Sequence, residues 1–133
     1  MSSFKLGEVY AYHYLWPYQQ LAGEESGRKA RPSALIFRSS ADAARLYLFP
    51  ITTRRPDASR AAVEIPGKER LAAGLDQQCW LILDEFNITL ETRTYDFLSL
   101  DPLGSFSETF TRALAARIAV EIRGGRSKPV RRS

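Results

Sequence analysis

The stretch GRKARPSALIF, Gly27 to Phe37, decides how this chain is read. Arg28, Lys29 and Arg31 crowd its first half, Pro32 follows, and the chain then turns apolar. A proline fixes its own φ and pushes the residue before it toward extended backbone. Arg31 is therefore expected at the mouth of a strand, where a proline's missing N–H need not remove a ladder bond. A cation at that point is either a solvated edge or a group that handles an anion.

Working outward, RLYLFPITT (45–53) and GEVYAYHYLW (7–16) alternate with period two and are rich in aromatic or branched residues, as strands are. Both faces of the 7–16 run are bulky, so each is expected to meet something. AAVEIP (61–66), QQCWLILDEFNI (77–88) and TYDFLSLD (94–101) read as further strands, the second apolar enough to be central. PYQQLAGEESGRKA (17–30) reads as a long polar loop, and GKERLAAGL (67–75) as one or two helical turns stopped at Gly74.

The period changes near the C-terminus. Ser105 and Glu108 have capping-box spacing, and Phe106, Phe110, Ala113, Leu114, Ile118 and Ile122 fall on one helical face. Arg123-Gly124-Gly125 supplies the cation and glycines that end helices. About six short strands followed by a helix over about 105–122 predict one mainly β domain, 1–122, built as a small bent sheet or barrel.

Composition narrows the function classes. The chain has 133 residues, 44% of them hydrophobic, and a formal charge of +4. Five cations (Arg123, Arg126, Lys128, Arg131 and Arg132) lie in the last eleven residues, leaving fourteen basic against fifteen acidic residues over 1–122. The excess charge thus belongs to residues 123–133, which read as a basic flexible tail able to add unspecific affinity for phosphate backbones. No apolar run suits a signal peptide or a membrane helix, so a cytoplasmic protein without membrane contact is expected. One His and one Cys, with no H-x-x-H or C-x-x-C spacing, argue against a metal site, and no cofactor motif is present. His13 is read as packed, and Cys79 as a small core residue.

What remains is polar chemistry without a metal. Arg31 follows a loop, Thr52 and Thr53 end one strand, and Asp84 and Glu85 end another. An arginine offers a planar fork for phosphate, a hydroxyl can hold a second phosphate oxygen, and a carboxylate can take a proton. That set suits phosphodiester cleavage by a neighbouring ribose 2′-hydroxyl. The other reading of the same residues is structural: Arg31 pairs with Glu24, Glu25 or Asp84, and Thr52 bonds backbone where its strand ends.

The serial order of GEVYAYHY, a Gly/Glu loop, RPSALIF, LYLFPITT and GL-DQQCWLILDEFNI resembles the MazF/PemK-like toxins of type II toxin–antitoxin systems, over roughly residues 6–120. The resemblance implies an SH3-like small barrel (MazF/PemK/CcdB-like) and a homodimer. It also implies metal-independent cleavage of single-stranded RNA that arrests growth, and a small acidic antitoxin as partner. It gives Arg31 and Thr52 catalytic roles and makes Asp84, or else Glu24 or Glu25, the candidate base. Arg28, Lys29, Thr53, Arg54 and Arg55 are the implied RNA contacts. Gly7 and Glu8 match the family's opening pair, with Glu for the usual Asp. Glu85, Phe86, Asn87 and Ile88 depart from its Gln-Ile-Arg-Thr, removing an arginine and adding a carboxylate, for which Arg54, Arg55 and Arg60 would compensate. The alternatives are a non-catalytic relative that binds a protein target such as a topoisomerase through its helix and tail, and a degenerate barrel that binds only nucleic acid or antitoxin.

Overall fold

A computed structural model describes residues 4–23, 29–39 and 44–132. In chain order its elements are β1 (Glu8–Tyr12), α1 (Pro17–Leu21), β2 (Arg31–Ser39), β3 (Arg45–Thr52), β4 (Ala62–Glu64), α2 (Gly67–Ala72), β5 (Trp80–Ile82), β6 (Glu85–Leu90), β7 (Gly104–Ser105), α3 (Glu108–Arg123) and β8 (Lys128–Arg131). The fold is mainly β with a C-terminal helix, as the sequence implies.

The strands pair in the order β4-β5-β3-β2-β1-β7, and β6 and β8 branch from the other half of β3. Every ladder is antiparallel except β6 with β8. No ladder among the described residues joins the outer strands, so the sheet is open where a closed barrel was expected. The cause lies in residues 77–88. Instead of one long strand they bend at Leu83-Asp84, and β5 takes the end of β3 while β6 takes its beginning.

Strand alternation sends side chains to two cores. Val9, Ala34, Phe49, Ile51, Leu81 and Phe86 pack on one face beneath Leu114 and Ile118 of α3. Tyr10, Tyr12, Tyr14, Leu35, Leu48 and Phe97 pack on the other. The doubly bulky first strand is thus explained by two covered faces. An irregularity between Leu35 and Phe37 shifts the β2–β3 register by one, so that Phe37 joins Ile36 on the helix side.

Several boundaries differ from the sequence reading. Ser107, not Ser105, caps α3 by accepting from Phe110 N at 3.1 Å, because Ser105 is held in β7 opposite Glu8. The 94–101 run is not a strand: it makes turns and one bridge, Phe97 to Tyr12. A short helix, α1, occupies the start of the expected loop. Gly74 does stop the turn after α2, at φ 74°, where an added Cβ would lie 2.2 Å from the Leu103 carbonyl oxygen. No helix among the described residues is long and apolar enough to cross a membrane.

The largest departure is the supposed tail. Residues 128–131 form β8 alongside β6, and Val130 and Arg132 are buried. The Arg132 side chain is 0% exposed and reaches Asp96 at 3.1 Å. Its Nη1 donates to His13 O and to Asn87 Oδ1, each at 2.9 Å, and to the Tyr12 hydroxyl at 3.2 Å. Composition marks this segment as solvated, but a guanidinium with that many acceptors can be buried.

Arg132→Met should therefore lower the unfolding free energy by about 3 kcal/mol, as loss of one partner from a buried ion pair does. Arg131→Met, at the exposed neighbour, should leave it unchanged. Urea denaturation of the two variants measures both.

Candidate functional site

The site follows from strand register. Tyr12 lies opposite Arg31 between β1 and β2. Ser33 lies opposite Pro50, the last pair of the β2–β3 ladder, so Arg31 and Thr52 lie at the same end of their strands, each two residues beyond that pair. Thr52 in turn lies opposite Trp80, and Trp80 opposite Glu64. Directly opposed residues share a face of the sheet. Arg31, paired with Tyr12, and Thr52, paired with Trp80, thus lie at one end of the sheet, and strand alternation puts both on the face that carries the tyrosine core.

Arg31 is half-buried and its guanidinium sits over the Trp16 ring, 5.2 Å from the centroid. Trp16 packs edge-on against Tyr14 at 4.9 Å. Among the described residues no carboxylate pairs with Arg31. The Thr52 hydroxyl oxygen accepts from Arg54 N at 3.1 Å, while the contact of that hydroxyl with Arg54 O is long, 3.4 Å. The backbone bond holds the oxygen, and the proton is free to turn to a stronger acceptor. The expectation that Thr52 closes its own strand end is met, without using up its donor.

Trp80 is partly exposed and, with Arg55, Arg60 and Glu64, lines a cavity of about 350 Å³. Thr53, Arg54 and Arg55 continue the chain into solvent. Thr53 points to the opposite face from Thr52, where it shares a second cavity with Lys29 and Arg31. Glu24, Glu25 and Arg28 lie outside the described residues.

Asp84 is not placed as a free base. Arg60 donates to both of its oxygens, from Nε at 3.1 Å and 3.2 Å and from Nη2 at 2.8 Å, and Ala61 N adds a bond at 3.2 Å. Arg60 Nη2 also meets Glu85 at 2.7 Å, and Tyr14 donates its hydroxyl to Glu85 at 2.9 Å. Both carboxylates strengthen the guanidinium's hold on its proton. Burial pushes the Glu85 carboxyl up, because desolvation outweighs the bonds from Tyr14 and Arg60.

These contacts revise the reading of the unusual residues at 85–88. Glu85 is 3% exposed and turned inward, so its charge is not laid along a groove. Arg60 is consumed in holding it and does not supply a free cation. Asn87 is buried and pairs with Leu15 in both directions, accepting from Leu15 N at 2.9 Å and donating to Leu15 O at 2.7 Å. Both residues are internal joints.

Sequence reasoning missed the two tryptophans as site residues. They are the only two in the chain: Trp16 caps the start of α1 with its ring under Arg31, and Trp80 opens β5 opposite Thr52. It also passed over Asp76, which shares the Lys29 cavity. Among the described residues no group of His, Cys, Asp or Glu converges as metal ligands would. No protein-family model matches the chain, and no curated protein is significantly similar to it.

The Glu85 carboxyl is raised in the fold, so its ionisation opposes folding. The fold is favoured below the unfolded carboxylate value, and that advantage is lost as pH rises through the folded one. Glu85→Gln keeps an acceptor for Tyr14 and removes this dependence. The stability of the variant relative to wild type should therefore rise between pH 4 and pH 8, as followed by urea midpoints.

Proposed function

We propose that this chain is a metal-independent endoribonuclease of the MazF/PemK-like toxin kind, acting on single-stranded RNA in the cytoplasm. The observation that carries the reading is the Arg31 guanidinium seated on Trp16, at the sheet end where Thr52 pairs with Trp80. A cation and a hydroxyl between two tryptophans suit a sugar–phosphate chain with its bases stacked on either side. The family's homodimer and acidic antitoxin belong to the same proposal.

In this reading the 2′-hydroxyl of the bound RNA attacks the adjacent phosphorus. The bond to the 5′-oxygen breaks, leaving a 2′,3′-cyclic phosphate and a 5′-hydroxyl. Arg31 stays protonated and stabilises the extra charge on the pentacoordinate phosphorus. Its strand position behind Pro32 and its seat on Trp16 hold it in place beforehand. Thr52 donates its free proton to a non-bridging oxygen. Asp84, bound by Arg60, does not serve as base; Glu24 or Glu25, shortly before Arg31 in the sequence, takes the 2′ proton, and the departing 5′-oxygen takes one from water. A protein-target reading through a free C-terminal tail finds less support, because residues 128–131 are a strand of the sheet.

Purified protein incubated with a long single-stranded RNA in EDTA should yield defined fragments with 5′-hydroxyl ends. Arg31→Ala should cut at least about a hundredfold more slowly with an unchanged circular dichroism spectrum. Intact RNA with the wild-type protein, or full activity in Arg31→Ala, overturns the proposal. Trp80→Ala should raise KM by about tenfold and spare kcat, since a lost stacking contact is worth about one to three kcal/mol of binding.

A further inference from the structure

Arg31 separates the two tryptophans from a cavity of about 320 Å³ on the other side of the sheet end. This volume is in the range of small-molecule sites. Pro32, Ile51, Leu75 and Cys79 give it apolar walls, while Lys29, Asp76 and Gln77 stand at its polar margin. The loop that carries Asp76 is anchored at both ends. Leu75 N donates to Arg70 O at 3.0 Å, and Cys79 O accepts from Ile65 N at 3.0 Å. Gly74 lets this loop approach the Leu103 backbone more closely than any side chain would allow. Asp76 forms no ion pair or hydrogen bond with the described residues, and neither does Lys29. An uncommitted carboxylate and an uncommitted ammonium thus share one apolar-walled cavity.

We propose that this cavity is a nucleobase subsite that selects guanine next to the scissile phosphate. The inference rests on the RNA-cleavage reading and deepens it. A guanine ring can lie between the apolar walls. Its N1–H and N2 amino group donate to the Asp76 carboxylate, and its O6 accepts from Lys29. Adenine presents the reverse pattern. Its N6 amino group would face the ammonium and its N1 lone pair the carboxylate, leaving both protein groups unpaired. A base lodged here requires the chain to bend over the sheet end at Arg31, which exposes the phosphodiester on that side of the base. Reading a swung-out base by its pairing edge is a general strategy of enzymes that act on nucleic acids.

The test titrates guanosine 5′-monophosphate and adenosine 5′-monophosphate into ¹⁵N-labelled protein, wild type and Asp76→Asn. The guanine nucleotide should perturb the amides of residues 74–79 and bind at least about tenfold more tightly than the adenine nucleotide. Asp76→Asn, at an exposed position, should lose that preference while keeping its spectrum dispersed. Equal affinity for the two nucleotides, binding of neither, or an unchanged preference in Asp76→Asn overturns the subsite. Mapping RNA ends separates the two readings. Cleavage at sites without guanine refutes the subsite and leaves the ribonuclease standing. A guanine preference in a protein that cuts no RNA refutes the ribonuclease and leaves the subsite.

Discussion

The side chain of Asn87 is the joint on which this structure depends. Leu15 lies past the last ladder pair of β1, where the chain leaves the sheet toward α1. Its backbone N–H and C=O have no strand partner, yet Leu15 is buried. The Asn87 amide replaces the missing strand by giving one donor and one acceptor. The same Oδ1 accepts from Arg132, so β8 is fastened to the joint as well. Leaving buried polar groups unmatched costs roughly 1–3 kcal/mol apiece, so the three bonds act as one unit. Trp16 is the next residue along, and its ring lies under Arg31. The path from Asn87 through Leu15 to Trp16 connects an internal hydrogen-bond pair to the guanidinium at the site.

A second internal network runs beside the first and ends at the same aromatic pair. Arg60 joins Asp84 and Glu85, Glu85 takes the Tyr14 hydroxyl, and Tyr14 packs against Trp16. Burial raises the Glu85 carboxyl against the pull of Tyr14 and Arg60, and the neighbouring Asp84 adds to the rise. The cluster's cation is thus satisfied internally by two carboxylates. Arg31 differs from Arg60 in its surroundings: it has an aromatic support and, among the described residues, no carboxylate partner. A guanidinium neutralised by a carboxylate offers a phosphate little, whereas one stacked on a ring keeps its full charge and its donors.

How much of this was legible in the sequence depends on the range of the contact. Arg31-Pro32 marked the start of β2, and the apolar alternation marked β3, because both are local effects of backbone restriction and period. The helix was legible from its apolar face, while its cap was misplaced by two residues because Ser105 is claimed by Glu8 through strand pairing. The tail reading failed for the same kind of reason. Gly, Ser, Pro and cations are solvated on average, but Arg132 finds Asp96, Asn87 and Tyr12, all distant in sequence. Asp84 looked available because its partner, Arg60, lies 24 residues away. Trp16 and Trp80 could join Arg31 and Thr52 only through registers that no local pattern specifies.

The relocated charges change what the net charge means. On composition the positive excess sits in the last eleven residues. In the fold, Arg126 is paired with Glu121 and Arg132 with Asp96, which removes two of those five cations from any long-range field. Lys29, Arg31, Arg54 and Arg55 make no ion pair among the described residues, and all lie at the end of β2 and β3 where Trp16 and Trp80 lie. Charges within a Debye length of about 8 Å reinforce one another, while those farther apart are screened. A modest total charge can thus focus attraction for a polyanion at one sheet end, between two tryptophans, without making the whole surface basic. The placement of these cations, more than the number of cations in the chain, sets where a polyanion would be drawn.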